Sequence, residues 1–167
     1  LLQRDIDIIC SMGSEIKYGV RVGKDISLAE LKQKHDAVFI APGAHRSKPM
    51  GVEGEDAGYK GFLKGGIDFL REAYMGKPTG MGKKVVVVGG GNTAIDCART
   101  ALRLGAQSAT IAYRRARADM GASNEEVRDA QSEGVQLLTQ RLPAALEKNG
   151  GACRVTPFCA DQACRRA

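Results

Sequence analysis

No tryptophan occurs in this chain, and aromatic side chains make up only 5% of it. Proteins that hold single-stranded nucleic acid stack bases on aromatics set among arginines and lysines. The net charge of +6 is therefore not read as a nucleic-acid surface. Histidine is nearly as scarce: His35 ends a helical pattern and His45 sits in a loop. Both are expected to be structural or solvated, so no imidazole-centred acid–base pair, and no catalytic residue, is nominated. The five cysteines, at 10, 97, 153, 159 and 164, are odd in number and contain no C-x-x-C. That spacing argues against a thioredoxin-like redox pair and a zinc ribbon, and with them a disulphide reductase. Cys10 and Cys97 fall in helical patterns and are expected to act as small buried hydrophobes. Cys153, Cys159 and Cys164 match no defensible metal site. No apolar run approaches the roughly 20 residues that span a bilayer, and no signal-peptide pattern is present. The expectation is a soluble, cytoplasmic protein with no membrane partner.

What the chain does carry is concentrated in residues 83–115, KKVVVVGGGNTAIDCARTALRLGAQSATIAYRR. The run Val85–Val88 is β-branched and does not alternate, the pattern of a parallel strand buried on both faces. It enters Gly89-Gly90-Gly91-Asn92-Thr93-Ala94, a G-x-G-x-x-A turn. A helical pattern follows, with Ala94, Ile95, Ala98, Ala101 and Leu102 on one face and a stop at Gly105. A second strand, Ala109–Tyr113, ends in Arg114 and Arg115. Strand, glycine turn, helix and strand in this order form a dinucleotide-binding unit. Gly89 allows the sharp turn, Gly91 allows a pyrophosphate to approach the backbone, and Ala94 is small enough for close helix–sheet packing. Unpaired N–H groups from Asn92 to Ile95 would face the phosphates, with Asn92 suited to the N-cap.

Which dinucleotide is bound is decided at the end of the second strand. An NAD site places Asp or Glu there to accept from the ribose hydroxyls. This chain has Arg114 and Arg115, then Arg117, and no acid before Asp119. A guanidinium suits a phosphate far better than a neutral diol, so a 2′-phosphate pocket, and hence NADP(H), is expected. Charge distribution agrees. Residues 1–80 carry 12 Lys+Arg against 11 Asp+Glu, and residues 81–167 carry 13 against 8, so the excess lies with the proposed nucleotide unit.

The remaining pattern is α/β throughout. A helical stretch over 1–12 stops at Gly13, and Glu15–Val22 alternates as a half-buried strand. Ser27 and Glu30 form a capping box opening a helix to Lys34, and Ala37–Ile40 reads as another strand ending at Pro42-Gly43. Residues 43–66 contain seven glycines and read as a loop or crossover; Ile67–Met75 reads as a helix closed by Gly76. Ser123 and Glu126 make a further capping box, the helix stops at Gly134, and Val135–Leu138 is a third strand. Residues 84–139 thus make β-α-β-α-β, one half of a doubly wound parallel sheet of the Rossmann type. Beyond Leu142 periodicity fades, and residues 150–167 are expected to be poorly ordered. Asp96, on the nucleotide helix, is expected to be a polar packing residue.

The segments GGGNTAIDCARTALRLGA, AYRR and EEVRDAQSEGVQLL, in that order, resemble the small chain of NADPH-dependent glutamate synthase and its relatives, including the NADPH module of dihydropyrimidine dehydrogenase. EIKYGVRVGKDISLAELKQKHDAVFIAPGA is similar to the end of that family's FAD domain, and the likeness spans residues 1 to about 140. The resemblance implies residues 1–50 as the last part of an FAD-binding-like domain, 51–82 as crossover loop and helix, 83–142 as the NADP-binding half and 143–167 as an irregular tail. It implies that Gly89, Gly90, Gly91, Asn92, Thr93 and Ala94 hold the pyrophosphate, that Arg114 and Arg115 hold the 2′-phosphate, and that the Ala41–Ala44 turn lies near the flavin. It also implies hydride passing from NADPH to FAD, and electrons passing on to a larger subunit with flavin or iron–sulphur centres. The chain begins Leu-Leu and has no first GxGxxG for FAD, so the expectation is a partial chain. The alternative is a non-catalytic NADP(H)-binding or docking fragment without its own flavin site.

Overall fold

A computed structural model of the chain describes residues 2–55, 63–149 and 152–159. It falls into two compact units, 1–44 and 45–167.

The first unit holds two helices, α1 (Leu2–Ser11) and α2 (Leu28–Lys34), neither with a buried residue. Gly13 ends α1 at φ 96°, where a side chain would be strained. The expected capping box is present: Ser27 Oγ accepts from Glu30 N–H at 3.1 Å and Ser27 N–H donates to Glu30 Oε2 at 2.8 Å. The two expected strands are not. Glu15–Val22 contains a turn and contributes only an isolated bridge between Val22 and Ile26, and Ala37–Ile40 is irregular, with Phe39 fully exposed. Alternation marks which side chains would share a face, but a strand exists only when its N–H and C=O groups meet a neighbour, and the described residues of this unit supply none. Cys10, expected to be buried, is exposed.

The second unit is built on a parallel sheet of β1 (Lys84–Val88), β2 (Ser108–Tyr113) and β3 (Gln136–Thr139), in that spatial order. The register pairs Val85 with Ala109, Val87 with Ile111, and Ile111 with Leu137. Helices α4 (Asn92–Arg103) and α5 (Asn124–Ser132) are the crossovers, and α3 (Gly66–Tyr74) precedes β1 and lies against α4. The core is the layer between sheet and helices: Ile95, Ala98 and Ala101 of α4, Ala109 and Ile111 of β2, and Val127 and Ala130 of α5. α5 opens with its expected capping box, Ser123 Oγ accepting from Glu126 N–H at 3.1 Å. Gly105 and Gly134, at φ 95° and 96°, end α4 and the segment after α5 where the sequence places the stops.

Two further expectations are corrected here. The valine run is not buried on both faces: Val85 and Val87 are half-buried while Val86 and Val88 are exposed, because the helices cover one side of β1 only. Nor are residues 143–149 and 152–159 irregular, the form expected of the tail. β4 (Arg141–Asn149) and β5 (Ala152–Cys159) pair antiparallel, with a bulge between Pro143 and Ala145. Prolines in both strands concealed them, since Pro cannot donate to a ladder. Between them the sequence Asn149-Gly150-Gly151 carries a hairpin signal. The expected disorder at 150–151 and 160–167, and any role for Cys164, lie outside the described residues.

Across the helical face, Glu133 gathers two arginines. Arg99 Nε donates to its Oε1 at 2.9 Å and Arg103 Nη2 at 2.7 Å, tying α4 to the end of α5. These hydrogen bonds from Arg99, then Arg103, lower the Glu133 carboxyl to about 2. The folded carboxyl releases its proton more readily than the unfolded one. Its stabilisation is therefore complete above pH of about 4.5 and disappears as pH falls from there towards 2. Glu133→Gln is expected to lower stability at neutral pH by about 1 kcal/mol, the scale of a half-exposed ion-pair network. It should also flatten the acid limb of a melting-temperature profile; an unchanged limb would assign the acid sensitivity elsewhere. Ile95→Ala, which removes a fully buried side chain between α4 and the sheet, is expected to destabilise by about 2–5 kcal/mol in denaturant unfolding.

Candidate functional site

The site residues expected from sequence lie at the carboxyl ends of β1 and β2. β1 passes its last rung, Gly89 N–H to Ala112 C=O at 3.1 Å, and turns at Gly89, whose φ of 149° favours glycine. A Cβ on Gly89 would stand 3.2 Å from that of Ala94, so the turn and the first turn of α4 are nearly in contact. Gly90 is buried, and a Cβ there would come within 2.4 Å of Tyr113 Cε2, which makes a side chain at that position incompatible with the ring. Gly91 differs from both. It is exposed and extended, and a Cβ on it would meet nothing within 4 Å.

Gly91, not Asn92, is the N-cap of α4, and no side chain caps the helix. The row of free donors is also shorter than expected. Ala94 and Ile95 N–H both donate to Gly91 C=O, at 2.9 and 3.3 Å, whereas Asn92 and Thr93 N–H have no acceptor among the described residues. These two groups carry the positive end of the helix dipole to the open space beside Gly91. Asn92 and Thr93 are exposed, and Ala94 is buried against the turn.

At the end of β2, Arg114 and Arg115 are exposed. Gly89, Tyr113 and Arg114 share an open depression of about 190 Å³ at the strand ends, where ligands of doubly wound sheets bind. Its far wall is Met50, Val52 and Pro143, which sequence reasoning did not nominate. Glu55 shapes that wall by accepting from Met50 N–H at 2.8 Å and Gly51 N–H at 2.6 Å, and the Met50 bond leads in holding its carboxyl below the usual range. Leu146 N–H donates to Glu53 C=O at 2.9 Å and joins the wall to the hairpin. No motif in residues 43–66 signals this, because it depends on which segments meet in space.

Two further titratable groups, Cys97 and Asp96, lie on α4 close to the turn. Burial, and secondarily Asp96, raise the Cys97 thiol to about 11, and its Sγ donates to Gly66 C=O at 3.4 Å. Asp96 itself is exposed and does not pack. Among the described residues no group of three or more His, Cys, Asp or Glu could hold a metal, and no helix is long and apolar enough to cross a membrane.

Known proteins share this architecture. Over 83% of the chain the fold matches Mycobacterium tuberculosis FprA in complex with NADPH, with a TM-score of 0.58 at 17% identity, covering 50% of that protein. T. acidophilum thioredoxin reductase matches over 70% of the chain and 36% of its own length, with a TM-score of 0.53 at 19% identity. In sequence, the NADPH-Fe(3+) oxidoreductase subunit beta of Geobacter sulfurreducens is 75% identical over 86% of the chain, which spans 21% of that subunit. The NADP(+)-dependent formate dehydrogenase subunit beta of Moorella thermoacetica is 50% identical over 90% of the chain and 21% of its own length. The glutamate synthase [NADPH] small chain of Escherichia coli is 37% identical over 90% of the chain and 34% of its own length. The chain thus spans about a fifth to a third of these curated relatives. A family model described as pyridine nucleotide-disulphide oxidoreductase matches residues 7–162, and on that match, carried by a parallel sheet with a glycine turn at its strand ends, the chain belongs to the pyridine nucleotide-disulphide oxidoreductase family.

Proposed function

We propose that this chain is the NADPH-binding portion of a flavoprotein oxidoreductase that works with a larger, electron-accepting subunit. One observation carries the reading: the open side of Gly91, the free N–H groups of Asn92 and Thr93, and Arg114–Arg115 all lie at the adjoining ends of β1 and β2. The first two fit a pyrophosphate, which needs close backbone approach and donors but no counter-charge from a side chain. The arginines fit the one group that distinguishes NADPH from NADH, the 2′-phosphate. The beta subunit of NADPH-Fe(3+) oxidoreductase and the small chain of NADPH-dependent glutamate synthase support the choice of cofactor and of a partner subunit.

The bound dinucleotide supplies a hydride at nicotinamide C4. The chain's own part is binding and orientation: Gly89 sets the turn, Gly90 admits the Tyr113 ring, Gly91 leaves the approach open, and Ala94 keeps α4 close to β1. No acid or base is required of the protein for hydride transfer. The flavin in this proposal rests on the family. In the unit 1–44 the Ala41–Ala44 segment is exposed, and no described strand feeds a helix, so no flavin contact is assigned to a residue of this chain.

Calorimetric titration with NADPH and NADH tests the reading. Native protein should prefer NADPH, and Arg114→Ala/Arg115→Ala should weaken NADPH by about 10- to 100-fold while leaving NADH unaffected. Equal affinity for the two nucleotides in the native protein would remove the 2′-phosphate assignment. Gly91→Val offers a complementary check. Its backbone tolerates a side chain and the space is open, so the melting temperature should hold while both nucleotides lose affinity about 10-fold or more. Retained affinity would place the pyrophosphate elsewhere.

A further inference from the structure

Residues Arg114–Asp119 leave β2 as a short loop that ends in a single 3-10 turn, Arg117–Asp119, before the chain enters α5, and several hydrogen bonds close it. Tyr113 Oη donates to Asp119 C=O at 2.7 Å, bridging from the last residue of β2 to the last residue of the loop. Inside it, Asp119 N–H donates to Ala116 C=O at 3.1 Å and Ala116 N–H donates to Asp119 Oδ2 at 3.2 Å. From outside, Gln140 N–H donates to Arg115 C=O at 3.0 Å. Gln140 adopts a φ of 55°, the only described residue other than glycine in the left-handed region, between β3 and β4. It stands where the chain passes from β3 to β4, and a left-handed residue there redirects the chain just after its N–H has met the arginine loop. The residues on either side of the loop meet the glycine turn: Ala122 N–H, three residues past it, donates to Gly90 C=O at 3.0 Å, and the Tyr113 ring, just before it, fills the space over Gly90.

We propose that Tyr113 and Gln140 are positioning residues for cofactor selectivity. They hold the Arg114–Asp119 loop closed on the glycine turn, so that Arg114 and Arg115 stand ready for a 2′-phosphate before the nucleotide arrives. The inference rests on the NADPH reading of this cleft. Its physical basis is preorganisation: two exposed arginines on an open loop would lose rotamer and backbone freedom on binding, and a loop already closed removes the backbone part of that loss. Only the ligand that engages the arginines gains from it. A general scaffold role would serve both nucleotides equally.

The experiment is nucleotide titration of the intact protein, with melting temperatures measured alongside. Tyr113→Phe keeps the ring over Gly90 and deletes only the bond to Asp119. It is expected to weaken NADPH about 3- to 10-fold more than NADH, with the melting temperature lowered by no more than the loss of one hydrogen bond explains, about 2–4 °C. Gln140 supplies a second, independent arm. Gln140→Gly keeps the N–H and suits the left-handed backbone, so selectivity should be retained; Gln140→Val disfavours that backbone and should lower NADPH affinity alone. Parallel loss of NADPH and NADH binding in Tyr113→Phe and Gln140→Val, or no loss in either, overturns the proposal. Native protein without NADPH preference overturns the NADPH reading first, and is seen before any variant is made.

Discussion

Ala94, Ala98 and Ala101 are almost completely buried, and each presents only a methyl group where α4 meets the sheet. The closeness of that contact is the constraint on which the rest depends. A larger residue at any of the three would lift the helix off β1 and β2 and open the packed layer formed with Ile95, Ile111 and Val127. It also dictates the turn. A helix that must begin directly above the end of its own strand leaves no room for a wide loop, and the chain reverses through three glycines. The amino end of α4 is thereby set at the edge of the sheet with its free donors facing outward.

The three glycines do three different things. Gly89 supplies a backbone conformation and Gly90 yields its side-chain volume to Tyr113, so both are demanded by the fold itself. Gly91 is demanded by neither backbone nor packing, since its φ is ordinary and the space beside it is open. A position that the fold leaves unconstrained, at the end of a tightly constrained turn, is what the proposed close approach of a pyrophosphate would require. In the proposed site the pyrophosphate would lie on the turn of β1 and the 2′-phosphate on the arginines of β2, and the ladder bond from Gly89 to Ala112 holds those two strand ends together.

Much of this was legible in advance. The glycine turn, α4, β2, the arginine pair, both capping boxes and the glycine stops depend on residues close in sequence, so local pattern reports them directly. The errors share a cause. Glu15–Val22 and Ala37–Ile40 have strand patterns but no ladder partner among the described residues, Val86 and Val88 look like core yet stay exposed, and Cys10 sits on a helix with no buried residue. In the other direction, β4 and β5 form despite their prolines because each provides the other's hydrogen bonds.

By itself, the sequence determined that this chain carries a parallel β-α-β-α-β unit, where its turns fall, and which residues crowd the ends of its first two strands. Those features are set by backbone stereochemistry and by the period of the apolar residues, both of which act over a few positions. Only the tertiary structure decided that Tyr113 lies over Gly90, that Gln140 reaches Arg115, and that Met50, Val52 and Pro143 wall the depression beside Arg114. These are encounters between segments 23 to 93 residues apart, as from Tyr113 to Gly90 and from Met50 to Pro143. No local preference encodes them, because they arise when independent elements compete for the same space and hydrogen-bond partners as the chain packs.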